Sequence, residues 1–460
     1  MNTRLLKQIS VGLLLLPVSS LWAQVDSKSS QSALEVLDPG STDDQMKVPP
    51  PVSGRSYPTE GSSQERSNYL RGGVTFTSAY TDNALGSVGG KPESDVSYSL
   101  GPVLALDETT SRLHLVLTYA PGFTFYQRVS SRNEADQNVS FDLHYRLSPH
   151  VTFSARDGFM KTSNVFNQPN VTPAEAVSGG AQEPNFSVIA PIADMLSNSG
   201  TVGISYQFAP NGMVGATGSF TYLHYPNPAE VPGLFDSNAQ AGSVFYSFRL
   251  SKMHYLGATY QYQRLLGYPN EGRSETQTHA LLLFYTLYAS PRLSISFFGG
   301  PQHSDTAEPP LPPLQLQLPA IRAWTPAAGA SMSWQGRLNN IAVSYSRVIS
   351  DGGGLFGAVQ MNSANASFRQ QLTRRLSGNL GASYTQNDVL ASPLSPVGNS
   401  GHSIAGNASL QQQFGQHVNV LLGYTRLHQD YSNVAVLAAT PDTNREFISI
   451  SYQFSRPLGR

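Results

Sequence analysis

From about Asn68 to its end the chain alternates apolar with small or polar residues, in runs separated by short polar turns. The run Arg112-Leu113-His114-Leu115-Val116-Leu117-Thr118-Tyr119 shows the pattern, as do Asn138–Leu147 and the closing Ile448-Ser449-Ile450-Ser451-Tyr452-Gln453-Phe454. A period of two places every apolar residue on one face of a strand and every polar one on the other. In a soluble sandwich the apolar face meets a second sheet. In a membrane barrel it meets lipid, and the polar face lines the interior. On the barrel reading, Leu113, Leu115, Leu117 and Tyr119 face lipid, while Thr118 faces water.

The amino terminus favours the membrane. Arg4 and Lys7 precede the apolar run Val11–Leu16, and Pro17 and small residues follow as far as Ala23. That is a basic region, an apolar region and a cleavage site after Ala23, so residues 1–23 are expected to be a signal peptide. No run approaches the roughly 18 apolar residues that a spanning helix needs. The chain has no cysteine, so neither a lipid-modified cysteine nor a disulfide framework is available. Charged residues are 13% of the total, below the roughly 25% of soluble domains. Mean hydropathy is nevertheless −0.23, because Ser, Thr, Asn, Gln, Gly and Tyr fill the polar positions. The net charge of −1 gives no basic surface for nucleic acid.

Two parts follow the leader. Residues 24–67 are rich in Ser, Pro, Asp and Gly, include Val48-Pro49-Pro50-Pro51, and are expected to form a disordered periplasmic tail. Residues 68–460 are expected to form an all-β, antiparallel up-and-down transmembrane barrel of about 18 strands. The predicted strands are 68–80, 94–106, 111–127, 135–147, 150–162, 198–208, 212–225, 237–249 and 252–267 in the first half. They are 274–288, 291–304, 323–335, 338–350, 357–371, 374–388, 402–414, 417–430 and 444–456 in the second. Short turns such as Leu147-Ser148-Pro149-His150 alternate with longer loops such as 163–197, 304–322 and 388–401. Outer-membrane barrels segregate short periplasmic turns from long extracellular loops in this way, and an even strand count leaves both termini in the periplasm. Trp324 and Trp334 lie on one predicted strand and share a face. At roughly 3.3 Å per residue and a tilt of about 40° they stand about 25 Å apart in height, the separation of the two aromatic girdles.

The chain end carries a resemblance. Ile448, Ile450, Tyr452 and Phe454 alternate outward, like the terminal strand that the barrel-assembly machinery reads in Gram-negative outer-membrane proteins. It departs from the usual pattern in that Ser455–Arg460 follow Phe454. In tail, layout and hairpin turns the chain resembles the outer-membrane β-barrel porins of Gram-negative bacteria. The resemblance implies an outer-membrane location, contact with lipid, passage of small hydrophilic solutes, and a class in which homo-oligomers are common.

Catalytic signatures are missing from the sequence. There is no Gly-x-Ser-x-Gly elbow, and Gly352-Gly353-Gly354 lacks the Lys-Ser/Thr of a phosphate loop. No His pair has metal-ligand spacing, and the ten His read as solvated lumen or loop residues. No enzyme, cofactor or metal is therefore expected. Interest moves to the lumen, which 16 to 18 strands leave as an aqueous channel. By parity the inward charged and titratable positions are Arg71, Asp95, His114, Asp142, His144, Arg146, Arg156, Arg249 and Arg369. Such charges either set ion preference or pair with neighbouring strands. The long loop 163–197 carries Glu175, Glu183 and Asp194, and resembles in position the loop that general porins fold into the pore. Acids there, facing Arg146 and Arg156, would make a constriction with a transverse field. The function expected is a passive pore for small hydrophilic solutes. An export conduit, for example for a secreted polysaccharide, is the alternative from another class.

Overall fold

A computed structural model describes residues 46–47, 68–85, 92–164, 193–231, 233–268, 272–307, 320–350, 355, 358–390, 400–431 and 442–458. The first strands are β1 (Tyr69–Thr81), β2 (Asp95–Thr109), β3 (Leu113–Tyr119), β4 (Gly122–Tyr126), β5 (Glu134–Arg146) and β6 (Val151–Thr162). Next come β7 (Met195–Ala209), β8 (Gly212–His224), β9 (Asp236–Arg249), β10 (His254–Tyr268), β11 (Ser274–Ser290) and β12 (Leu293–Ala307). The series ends with β13 (Ile321–Gln335), β14 (Asn339–Ser350), β15 (Val359–Gln371), β16 (Leu376–Val389), β17 (Gly401–Phe414), β18 (Val418–Tyr431) and β19 (Asp442–Pro457).

Apart from β3 and β4, which both lie between β2 and β5, each strand pairs antiparallel with its sequence neighbours, and β1 also pairs with β19, so the sheet closes. β3 and β4 are two halves of one wall strand. Pro121 interrupts the ladder there because it has no N–H, but the register runs on, with Tyr119 opposite Val139 and Gly122 opposite Asp136. The wall therefore has 18 strands, one for each strand expected from the sequence.

Short turns gather at the end that holds Tyr69 and Pro457, here called the turn end; the opposite one is the loop end. Several turns are capped by the hydroxyl of their first residues. Ser148 Oγ accepts the N–H of His150 (3.2 Å) and Val151 (3.1 Å), and Thr373 Oγ1 accepts those of Arg375 (3.3 Å) and Leu376 (3.0 Å). These local bonds satisfy backbone groups that the ladder cannot reach.

The outer rows are apolar. Val74 and Phe76 on β1, Leu117 and Tyr119 on β3, and Ile448, Ile450, Tyr452 and Phe454 on β19 are all exposed. Trp324 and Trp334 lie in the same outer row of β13, near its two ends, and both are exposed. Inner rows carry cross-strand hydroxyl pairs, such as Thr77 with Ser449 (2.7 Å) and Ser346 with Ser363 (2.8 Å).

Not every inward position is solvated. Thr118 is inward but completely buried, and its hydroxyl has no hydrogen-bond partner. The expectation that it faces water is thus corrected: the interior at this level is packed. The reading of the histidines also changes. His224, His279, His303, His402 and His428 stand in the outer rows of their strands, towards the loop end, each beside another ring. His303, for example, lies 4.8 Å from the Trp324 ring.

Candidate functional site: the lumen

The inner rows are mostly Ser, Thr, Asn and Gln, and two clusters stand out from them, one charged and one apolar. The charged cluster, here called the polar sector, lies on β1–β6. Asp142 on β5 meets Arg156 Nε on β6 at 2.7 Å and His144 Nε2 at 3.2 Å. His144 lies beside His114 of β3, ring centroids 6.5 Å apart, and His114 Nδ1 is 2.9 Å from the Thr109 hydroxyl. Arg71 meets Asp107 at 3.3 Å across β1 and β2. The period-two pattern makes this cluster, because residues opposite each other in the ladder share a face.

The remaining inward residues from the sequence are dispersed. Arg146 donates from Nη2 to the Ser111 carbonyl at 2.7 Å, close to the turn end. Arg249 is buried and donates from Nε to Asn211 Oδ1 at 3.2 Å. Arg369 is exposed and is the member of the set with no ion-pair or hydrogen-bond partner among the described residues. Asp95 is 3% exposed, and its carboxylate accepts the backbone N–H groups of Val96, Arg128 and Val129 at 2.7 to 3.2 Å. It fixes a loop and presents no charge to an open channel. Glu175 and Glu183 lie outside the described residues, as does Ala23. Asp194 accepts a hydrogen bond from Asn227 at 2.7 Å near the start of β7. Arg156 has its carboxylate in the wall itself, at Asp142.

The apolar sector is a patch within β9–β13, whose inner rows also carry Thr259, Thr276, Thr278, Thr286 and Gln302, and it has no counterpart in the sequence expectation. Phe245, Leu282, Phe284, Phe298 and Ala327 form one inward cluster with Val348 of β14. Phe284 lies over Gly257 and Phe298 over Gly329, where a Cβ would run into the ring. The signal was available in Ala280-Leu281-Leu282-Leu283-Phe284 of β11, which is apolar at both parities. A strand apolar on both faces is buried on both.

At the loop end β14 parts from β13 beyond Arg347 and turns inward together with β15, which stays paired with β16 as far as Val359 opposite Val389. Ile349 and Ala358 pack on Ala239 of β9 and Leu265 of β10. Leu355, Val359 and Met361 join Met195 of β7, Leu223 of β8, Tyr225 just beyond it and Tyr431 of β18. Apolar residues from several sides of the barrel thus meet across its interior. At the turn end Met46 is buried with Met213 and Tyr255, and its N–H donates to Gln207 Oε1 at 3.0 Å. Lys47 Nζ lies 4.5 Å from the centroid of the Tyr288 ring. Of the segment 24–67, these two residues are described, and they occupy the mouth of the barrel. Among the described residues no cluster of His, Asp and Glu could hold a metal ion.

A closed antiparallel wall of 18 strands, with apolar outer rows and a largely polar interior, is a transmembrane β-barrel of the outer-membrane kind. No family model matches the chain, and no curated protein does. Among solved structures it is similar to the unliganded ferric citrate transporter FecA, at 9% identity and a TM-score of 0.42, covering 84% of this chain and 64% of that one. It is also similar to Pseudomonas aeruginosa OccK2 (OpdF), at 11% identity and a TM-score of 0.42, covering 86% and 100%. OpdK from the same organism gives 10% identity and a TM-score of 0.38, covering 84% and 99%. The chain spans less than two thirds of FecA. Likeness of this degree decides nothing about activity, and the architecture stands on the chain's own strand ladder.

Proposed function

We propose that the barrel is an outer-membrane pore for passive diffusion of small hydrophilic solutes, with its turn end and both termini on the periplasmic side. The polar sector of β1–β6 carries this reading. Its charges are already paired within the wall, as Asp142 with Arg156 and Arg71 with Asp107. A solute crossing beside them meets donors and acceptors without having to displace a bare charge. The apolar sector opposite narrows the path and favours solutes with one less polar face. The outward row of Ile448, Ile450, Tyr452 and Phe454 suits recognition by barrel-assembly machinery. Swelling of liposomes that contain the folded protein, in sugars of graded size, tests the reading. Swelling rates should fall with solute size. Folded protein that gives neither swelling nor conductance steps in a planar bilayer would overturn it.

A further inference from the structure

The ladder between β13 and β14 is incomplete. It runs from Gln335 opposite Asn340 to Ala328 opposite Arg347 and stops. On its other side β13 stays paired with β12 as far as Ile321 opposite Thr306. Residues 325–327 of β13 therefore lack the partners at 348–350 that the register would give them, a stretch of about 10 Å at roughly 3.3 Å per residue. Pro326 gives the physical reason. Gly336 donates its N–H to Asn339 at 2.6 Å on the β14 side, so even-numbered residues of β13 present their nitrogens to β14. Pro326 stands at the next such position beyond Ala328 and has no hydrogen to give, and proline belongs at strand edges for that reason. Beyond Arg347 the β14–β15 hairpin is drawn inward by the packing of Ile349 and Ala358 on β9 and β10.

We propose that this notch is a lateral port between the lumen and the surrounding membrane, and that it takes single-chain amphiphiles with an anionic head group. Three observations choose the occupant. Outside the notch is the lipid-facing row of β13, with Trp324 72% exposed. Behind it is the apolar cluster of Leu282, Phe284, Phe298, Ala327 and Val348, which suits a hydrocarbon chain. At its base Arg347 shares the outer row with Ala328, and its buried Nε has no hydrogen-bond partner. A guanidinium short of an acceptor is matched by a carboxylate head. Water-soluble solutes use the axial path, and the port adds a second route for molecules that partition into the membrane.

Tryptophan quenching tests the port. Phe298→Trp is placed in a background freed of tryptophan by Trp22→Phe, Trp324→Phe and Trp334→Phe, and compared with Phe447→Trp. Phe447 is also an inward ring, but β19 is fully paired with both β18 and β1 beside it. Each protein is folded into phosphatidylcholine vesicles and titrated with dibromostearate. Phe298→Trp should be quenched saturably and Phe447→Trp should not. Arg347→Gln should weaken the apparent affinity about tenfold, the value of one charged hydrogen bond. If Phe298→Trp fails to fold, Leu282→Trp reports from the same cluster. Equal quenching of the two reporters, or none of either, overturns the port. Liposome swelling with sugars, measured on the same proteins, reports the axial pore separately, so failure of one reading leaves the other standing.

Discussion

Asp142 and Arg156 face each other across β5 and β6 with their charged atoms 2.7 Å apart, and the same carboxylate holds His144 at 3.2 Å. The wall thus cancels a charge that parity alone would have left facing the solute. Asp142→Asn should expose Arg156 and raise anion over cation permeability. One uncancelled charge in water contributes about 1 kcal/mol at contact, so a shift of roughly twofold to fivefold is expected. Reversal potentials in a salt gradient measure it. An unchanged potential would mean that permeating ions do not pass β5 and β6.

Met46 is buried among Met213 and Tyr255 at the turn end. Met46→Asp would place a carboxylate in that apolar group, at a cost of several kcal/mol if it stayed. The segment should instead leave, with higher conductance and no change in the wall. A cysteine at position 46 should be slow to react with a soluble thiol reagent in the native barrel, and fast when Gln207→Ala removes its backbone anchor. Unaltered conductance in Met46→Asp would show that the contact does not obstruct flow.

Leu117 and Thr118 are neighbours with opposite surroundings. Leu117 faces lipid, and Leu117→Arg should cost about 2–4 kcal/mol if it lies near the bilayer midplane. Thr118 is completely buried, with its hydroxyl unpartnered. Thr118→Val keeps the shape and removes the stranded group, so it should be neutral or stabilising by about 1 kcal/mol. Urea titrations of folding into vesicles compare the two. A loss of stability in Thr118→Val would show that the hydroxyl is satisfied.

Gly257 lies under the Phe284 ring and close to the Tyr246 carbonyl, whereas nothing stands within 4 Å of where a Cβ would be at Gly242. Gly257→Ala should cost about 1–3 kcal/mol through overpacking. Gly242→Ala should fold like the parent protein. Heat-modifiability on gels, backed by the same titration, distinguishes them, and equal stability of both variants would remove the packing argument.

The alternation of residues made the wall legible. β8 was expected at 212–225 and is Gly212–His224; β9 was expected at 237–249 and is Asp236–Arg249. Period two identifies which residues share a face, and in a barrel that also fixes which ones meet across the ladder. It does not say whether a face is wet. Asp95 and Arg249 have the parity of pore residues, yet one caps a loop and the other is buried, because tertiary packing decides exposure. Nor does alternation reveal that β14 parts from β13 at the loop end. Val359 and Met361 alternate as any strand residues do, and their partners Leu223 and Tyr431 are distant in sequence. Two local signals did exist: Pro326 within a strand, and the doubly apolar run Ala280–Phe284.

The seam between β1 and β19, with Tyr69 opposite Pro457, bears on how such a wall can come into being. Within hydrocarbon each unpaired backbone group costs several kcal/mol. A chain lacking β19 is therefore not a smaller barrel, but a curved sheet with two raw edges. β1 gains its second ladder only once β19 is in place, so closing the wall requires its two strands most distant in sequence to meet. Until that seam shuts, the sheet carries two long unpaired edges, and its closure removes both in one step.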